Sequence, residues 1–297
     1  MPVKMAQDPL FNFYKNAFRN DPLFEKTGGE DDTFAGIYAH KIVTDALEAS
    51  TKDVDLAYEA AVCLTMWMEV AHLLNMAVTK CFNIDEFSSA GLEIDDALAY
   101  YVGVGQTRGN TDGFLLYSFA QKSANVFGTI DESGEAKANS QMILLFKKAK
   151  ELAGQCDGGP EQARLLRAEV GSMMSVLNVP LVQSFVNQLQ VGAQTDKASF
   201  YAILYGLAVL PQIATCQPTE YNYLSNEITE NGLDVANIDE LMAAFRKSYN
   251  CFGITCIDVH GDDEICEEPR NTYAGFTPVE NVVMVRFNLV CMLLLGT

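Results

Sequence analysis

The chain has 297 residues, 49% of them hydrophobic and 20% charged, the balance of one large or two average globular domains; collagenous, low-complexity and wholly disordered architectures are excluded. Thirty-nine Asp and Glu against 20 Lys and Arg leave a net charge of −19, a field that repels nucleic acids and anionic lipid surfaces and attracts cations and basic partners. No nucleic-acid function is expected.

In chain order, residues 1–34 read as an N-terminal extension. Its first twenty residues hold no apolar stretch of signal-peptide length, so the expectation is either an intracellular protein or a processed chain. Apolar residues spaced three and four apart then predict helices over 36–49, 55–81, 94–102, 114–127, 139–153, 160–177, 180–190, 198–216 and 238–252. The run 55–81 has no Pro or Gly and places Leu64, Trp67, Val70, Ala71, Leu74 and Val78 at helical spacing, as a core helix would. Gly- and Pro-rich punctuation falls at 27–29, 103–113, 131–135, 157–160 and 255–278, and alternating strand patterns are scarce. Residues 282–295 are apolar apart from Arg286 and Asn288, but fall short of the about 20 residues a bilayer span needs; a buried closing segment is expected, and no membrane span. The fold class that follows is all-α, a multi-helix bundle.

An internal repeat changes how the motifs read. Lys122, Ser123, Asn125, Phe127 and Gly128 recur as Lys247, Ser248, Asn250, Phe252 and Gly253, five identities in seven positions. Upstream of each copy a long apolar run ends in a cysteine, Cys81 or Cys216. Two related helical halves are therefore expected, 35–157 and 158–260, followed by an acidic loop and closing segment over 261–297. The motif also reads simply as two helix ends capped by left-handed glycines.

The eight cysteines contain no C-x-x-C pair, and the spacing of Cys251, Cys256 and Cys266 fits no common zinc knuckle. An even count on an acidic chain suits disulfides in an oxidising compartment, with buried thiols as the alternative; spacing leaves the pairing open.

Few residues can carry chemistry. The histidines are His40, His72 and His260. Glu69 and His72 form an E-x-x-H, which sets carboxylate and imidazole on one helix face as in di-iron bundles, yet no second copy exists; a half-buried core histidine is the plainer reading. Asp95, Asp96, Tyr100 and Tyr101 precede a glycine-rich turn, and their hard oxygens suit ferric iron. Arg108 and Thr111 in that turn, next to the start of a new helix, are candidate anion holders. Core tyrosines beside a flexible loop are the alternative. Tyr221 and Tyr223, near Glu220 and Glu227, occupy the matching interval of the second half. Asp262, Asp263, Glu264, Glu267 and Glu268 surround Cys266 in what reads as a solvated loop. No G-x-S-x-G, H-E-x-x-H or cysteine-nucleophile signature occurs.

The stretch from Asp96 to Gly103, the run from Gly113 to Lys122, the segment from Tyr205 to Ile213 ahead of Cys216, and Cys251 to Val259 together resemble the algal low-iron-inducible, iron-assimilating periplasmic proteins, to which the phytotransferrins of diatoms are related. The resemblance spans roughly residues 35 to 260. It implies a secreted or cell-surface protein, its targeting segment removed, that binds Fe(III) and assists iron uptake, with carbonate as a synergistic anion. The candidate metal ligands, Asp95, Asp96, Tyr100, Tyr101, Glu69 and His72, come from the residue constellations above and not from the resemblance. Two other functions stand beside it: a metal-dependent lyase acting on carbon dioxide, against which three histidines argue, and a helical module that docks a basic or cell-surface partner protein.

Overall fold

The computed structural model describes residues 38–48, 53–192, 196–229, 238–261 and 266. Among them the fold is all-α, as the sequence predicts, and the nearest approach to a strand is one isolated bridge between Ile130 and Ala136. The expected extension, most of the acidic loop and the apolar segment 282–295 lie outside the described residues, as do the side chains of Tyr38 and His40.

The helices are α1 (Tyr38–Glu48), α2 (Val54–Ala60), α3 (Trp67–Phe82), α4 (Ala90–Val102), α5 (Leu116–Phe127), α6 (Lys137–Ala153), α7 (Pro160–Gly192), α8 (Asp196–Cys216), α9 (Pro218–Thr229), α10 (Ile238–Lys247) and α11 (Cys256–His260). A π-helical segment, Ala61–Met66, joins α2 to α3 in one continuous rod. Asp53 starts that rod by accepting a hydrogen bond from the Leu56 amide at 3.1 Å. The smooth apolar period of 55–81 conceals the π segment, which inserts one extra residue per turn.

Helix α7 is the spine. It packs on α3, α5, α6 and α8, and Leu166, Val170, Met173, Leu181, Val182, Phe185, Val186 and Leu189 are all fully buried along it. Burying one such side chain contributes about 1.5–3 kcal/mol. One continuous core, from Ala60 to Val259, crosses the expected boundary between the two halves.

The sequence breaks this spine at Pro180, because proline removes an amide donor and crowds the preceding turn. The structure does not: α7 runs through Pro180, and α8 runs through Pro211. Two residues before the first proline, Asn178 exchanges paired hydrogen bonds of 3.0 Å with Gln212, next to the second. Packing on every side and this buried amide clasp hold both helices past their prolines. Helix α9, absent from the expected runs, begins with Pro218 at its first position, where a missing amide costs nothing. The expected helix 238–252 ends at Lys247 and is completed by a 3-10 turn, Tyr249–Phe252.

Val54–Phe82 and Pro160–Val191 are long and apolar enough to cross a membrane, but 61% of each apolar window is buried against the rest of the fold, as in core helices. Disulfides join Cys81 to Cys156, Cys216 to Cys251 and Cys256 to Cys266; Cys63 is a buried free thiol.

Candidate functional site

The candidate ligands on α4 do not face one way. Tyr101 is 1% exposed, and its hydroxyl donates to Asn139 Oδ1 at 2.7 Å, whereas Asp95 and Asp96 face solvent and Asp95 pairs with Lys150 at 2.6 Å. Asp95 and Tyr101 therefore do not act together as ligands: a six-residue step turns a side chain about 240° past its start, onto the other side of the helix. Burial raises the Tyr101 phenol far above its ordinary range, helped by Tyr117 and Glu135. Tyr100 is half-buried against the core, and Glu69 and His72 are half-buried on α3. Among the described residues no three His, Cys, Asp or Glu side chains converge as a metal site would require, so Asp95, Asp96, Glu69 and His72 form no such group.

A different polar cluster lies beside them. The turn 131–135 folds around Asp131, whose Oδ1 accepts from the Ser133 amide at 2.8 Å, the Ser133 hydroxyl at 2.6 Å and the Glu135 amide at 3.1 Å. The Ser133 and Ser140 hydroxyls hold its carboxyl well below the usual range. This turn presents Glu135, only 5% exposed, to the glycine-rich loop. Glu135 Oε1 accepts the Tyr117 hydroxyl proton at 2.5 Å, and Oε2 accepts from Arg108 Nε at 2.5 Å. Ser140 Oγ sits 2.6 Å from Asp131 Oδ2 and 2.9 Å from Glu135 Oε2, and its single proton serves one of them at a time. The Gly109 amide donates to the Tyr117 oxygen at 3.2 Å, and Asn139 Nδ2 donates to the Tyr117 carbonyl at 2.9 Å, which links this cluster back to Tyr101. Burial and the bond to Glu135 push the Tyr117 phenol up to about 12.

The cluster lines one end of a groove of about 450 Å³ between the end of α4, the loop after it and α6. Val102, Ile143 and Leu144 make an apolar wall, and Lys147 stands exposed on its rim with no partner among the described residues. Among the described residues Arg108 is bonded through Nε alone, which leaves its two terminal nitrogens without a partner there. The hydrogen bond to Glu135 raises the guanidinium further above its ordinary value, keeping the cation permanent. Thr111 offers its carbonyl to the Ser118 hydroxyl at 2.7 Å and lies outside the groove lining. Arg108, a candidate from the sequence, is therefore in the site, whereas Tyr117, Glu135, Asp131 and Ser140 were not singled out. Tyr117 lies inside the run from Gly113 to Lys122, and residues 131–135 carry only a turn signal in the sequence; the folded turn is what brings the Glu135 carboxylate back to the loop.

Both motif copies end in left-handed glycine, Gly128 at φ 67° and Gly253 at φ 68°. In the first, Gln121 Nε2 donates to Asn125 Oδ1 at 3.2 Å; in the second, Gln217 Nε2 donates to Asn250 Oδ1 at 3.1 Å and to the Lys247 carbonyl at 3.0 Å. Lys122 lies over the Tyr58 ring at 4.9 Å. Tyr221 and Tyr223 pack against the core from α9. No protein-family model, curated protein or solved structure matches this chain.

Proposed function

We propose that the chain is an iron-binding protein of an extracytoplasmic compartment, one that takes up Fe(III) together with a small anion such as carbonate at the Arg108 groove. The observation that carries this reading is the convergence of a phenol, a buried carboxylate and a half-free guanidinium in one open groove. Oxygen donors of this kind suit ferric iron, and Arg108 with Lys147 supplies positive charge for an anion in a chain whose net charge is −19. Three disulfides support a non-reducing compartment, and the resemblance to iron-assimilating periplasmic proteins points the same way. In this reading, iron takes the place of the proton that Tyr117 donates to Glu135, and acid restores that proton and releases the metal.

The test is ferric loading with and without bicarbonate, followed by metal analysis and visible spectroscopy. One iron per chain with a bicarbonate-dependent tyrosinate band is expected. Tyr117→Phe should abolish the band and Tyr100→Phe should leave it. No bound iron, or an unchanged band in folded Tyr117→Phe, overturns the proposal.

A further inference from the structure

A second cavity, of about 200 Å³, lies towards the other end of α5 from the groove just described. Its walls come from four separate helices. Tyr58 and Glu59 stand immediately before the π segment, a distortion that recurs at functional sites. Phe119 and Lys122 come from α5, Asn187 and Gln188 from α7, and Tyr201 and Tyr205 from α8. Phe119 and Tyr205 stack at 6.1 Å, 27° apart in plane, as an aromatic floor.

The charges in this cavity are unspent. Among the described residues Glu59, half-buried, makes no hydrogen bond and no ion pair; Lys122, exposed on α5, acts on it electrostatically without pairing with it. Lys122 itself rests on the Tyr58 ring, 4.9 Å from its centroid, and makes no ion pair among the described residues. The Asn187 and Gln188 amides also make no side-chain hydrogen bond among the described residues. Partial burial without a partner disfavours the charged carboxylate, and it holds Glu59 up at about 7.

We infer that this cavity is a binding site for a small zwitterion of the amino-acid type, its ammonium set against Glu59 and the aromatic rings, its carboxylate against Lys122 and the Asn187 and Gln188 amides. The pairing of charges selects the class. A simple cation satisfies Glu59 but is repelled by Lys122, and a simple anion meets the converse problem. A ligand with both charges meets neither penalty. The volume is below the about 300–1,000 Å³ of sites for drug-sized molecules, so the ligand is small. The site is independent of the iron reading, because none of its lining residues belongs to the Arg108 groove.

The experiment is calorimetric titration of iron-free, disulfide-intact protein with L-valine and glycine betaine, and with tetramethylammonium and butyrate as single-charge counterparts. One zwitterion should bind one to one, at least tenfold more tightly than either counterpart. Glu59→Gln and Lys122→Met should each weaken it at least tenfold. Their double variant should lose less than the sum of the two in log units, since each charge answers the other. Valine affinity should also rise between pH 6 and 8 as Glu59 ionises, with Lys122 favouring that ionisation and Asp53, Asp55 and the Tyr201 and Tyr58 phenols as the other titratable groups around it. Circular dichroism establishes that each variant is folded. Absence of zwitterion binding to the wild-type chain, equal binding of a single-charge counterpart, or unchanged affinity in both folded single variants overturns the inference.

Discussion

The two copies of the K-S-x-N-x-F-G motif share a sequence and a closing glycine but not a means of attachment. In the first, Ser123 is buried where α5 meets α7, 3.0 Å from the Ser184 hydroxyl, and Phe127 lies half-buried 5.8 Å from the His260 ring. In the second, Ser248 donates to Gln217 at 3.1 Å, Cys251 is bonded to Cys216, and Phe252 joins a cluster with Phe245, which in turn meets Phe185 and Tyr249 edge-on. Val126 holds the place of Cys251 in the first copy and is 65% exposed. One local pattern thus ends a chain segment in both places, while its fastening is set by whatever surface lies beneath: hydroxyls against the spine in one case, covalent and aromatic contacts in the other.

That contrast can be broken in graded steps. Phe252→Ala should cost about 4 kcal/mol and Phe127→Ala distinctly less, in urea unfolding followed by circular dichroism, because only Phe252 is fully buried. Equal costs would dissolve the distinction. Replacing Cys216 and Cys251 together by Ser should cost roughly 3–4 kcal/mol from the 35-residue separation they close, with no counterpart in the first copy. Gly253→Ala should cost about 2 kcal/mol and Gly128→Ala about 1 kcal/mol. Both adopt left-handed backbone, but a Cβ at 253 collides with Ser175 Oγ, whereas one at 128 meets open space. Ser123→Ala should cost about 1 kcal/mol by leaving the Ser184 hydroxyl short of a partner.

The smallest effect concerns pH. Burial, and then Arg246, lowers the His260 pKa below its ordinary value. The folded state therefore binds that proton less readily than the unfolded chain, whose histidine titrates near 6.5. Stability from the neutral ring is present above about pH 6.5 and is lost as pH falls towards the folded pKa. His260→Gln should flatten that part of the curve of unfolding free energy against pH, while also removing the 3.2 Å contact with the Tyr249 hydroxyl.

Most of the helical fold was legible in the sequence because helix periodicity is a local property: α3, α5, α6 and α8 fall where their apolar spacing puts them. What was not legible depended on neighbours. Pro180 reads as a break until Asn178 finds Gln212, and the π segment is invisible in an apolar run. At the groove, Arg108 was legible from its glycine-rich setting. Glu135 was not, since a carboxylate acquires meaning there only when the Asp131 turn delivers it to a phenol 18 residues earlier. Asp95 and Asp96, the most conspicuous acids in the sequence, face solvent.

The Cys81–Cys156 bond closes a covalent ring, and every residue lining the Arg108 groove, from Val102 to Lys147, lies inside it. A protease that cuts the glycine-rich loop once would therefore divide the backbone without dividing the molecule. Both pieces stay tethered at the ends of α3 and α6 until a reductant reaches the bond. The groove would thus tolerate a first cut, and the redox state around the protein would decide when that damage becomes final.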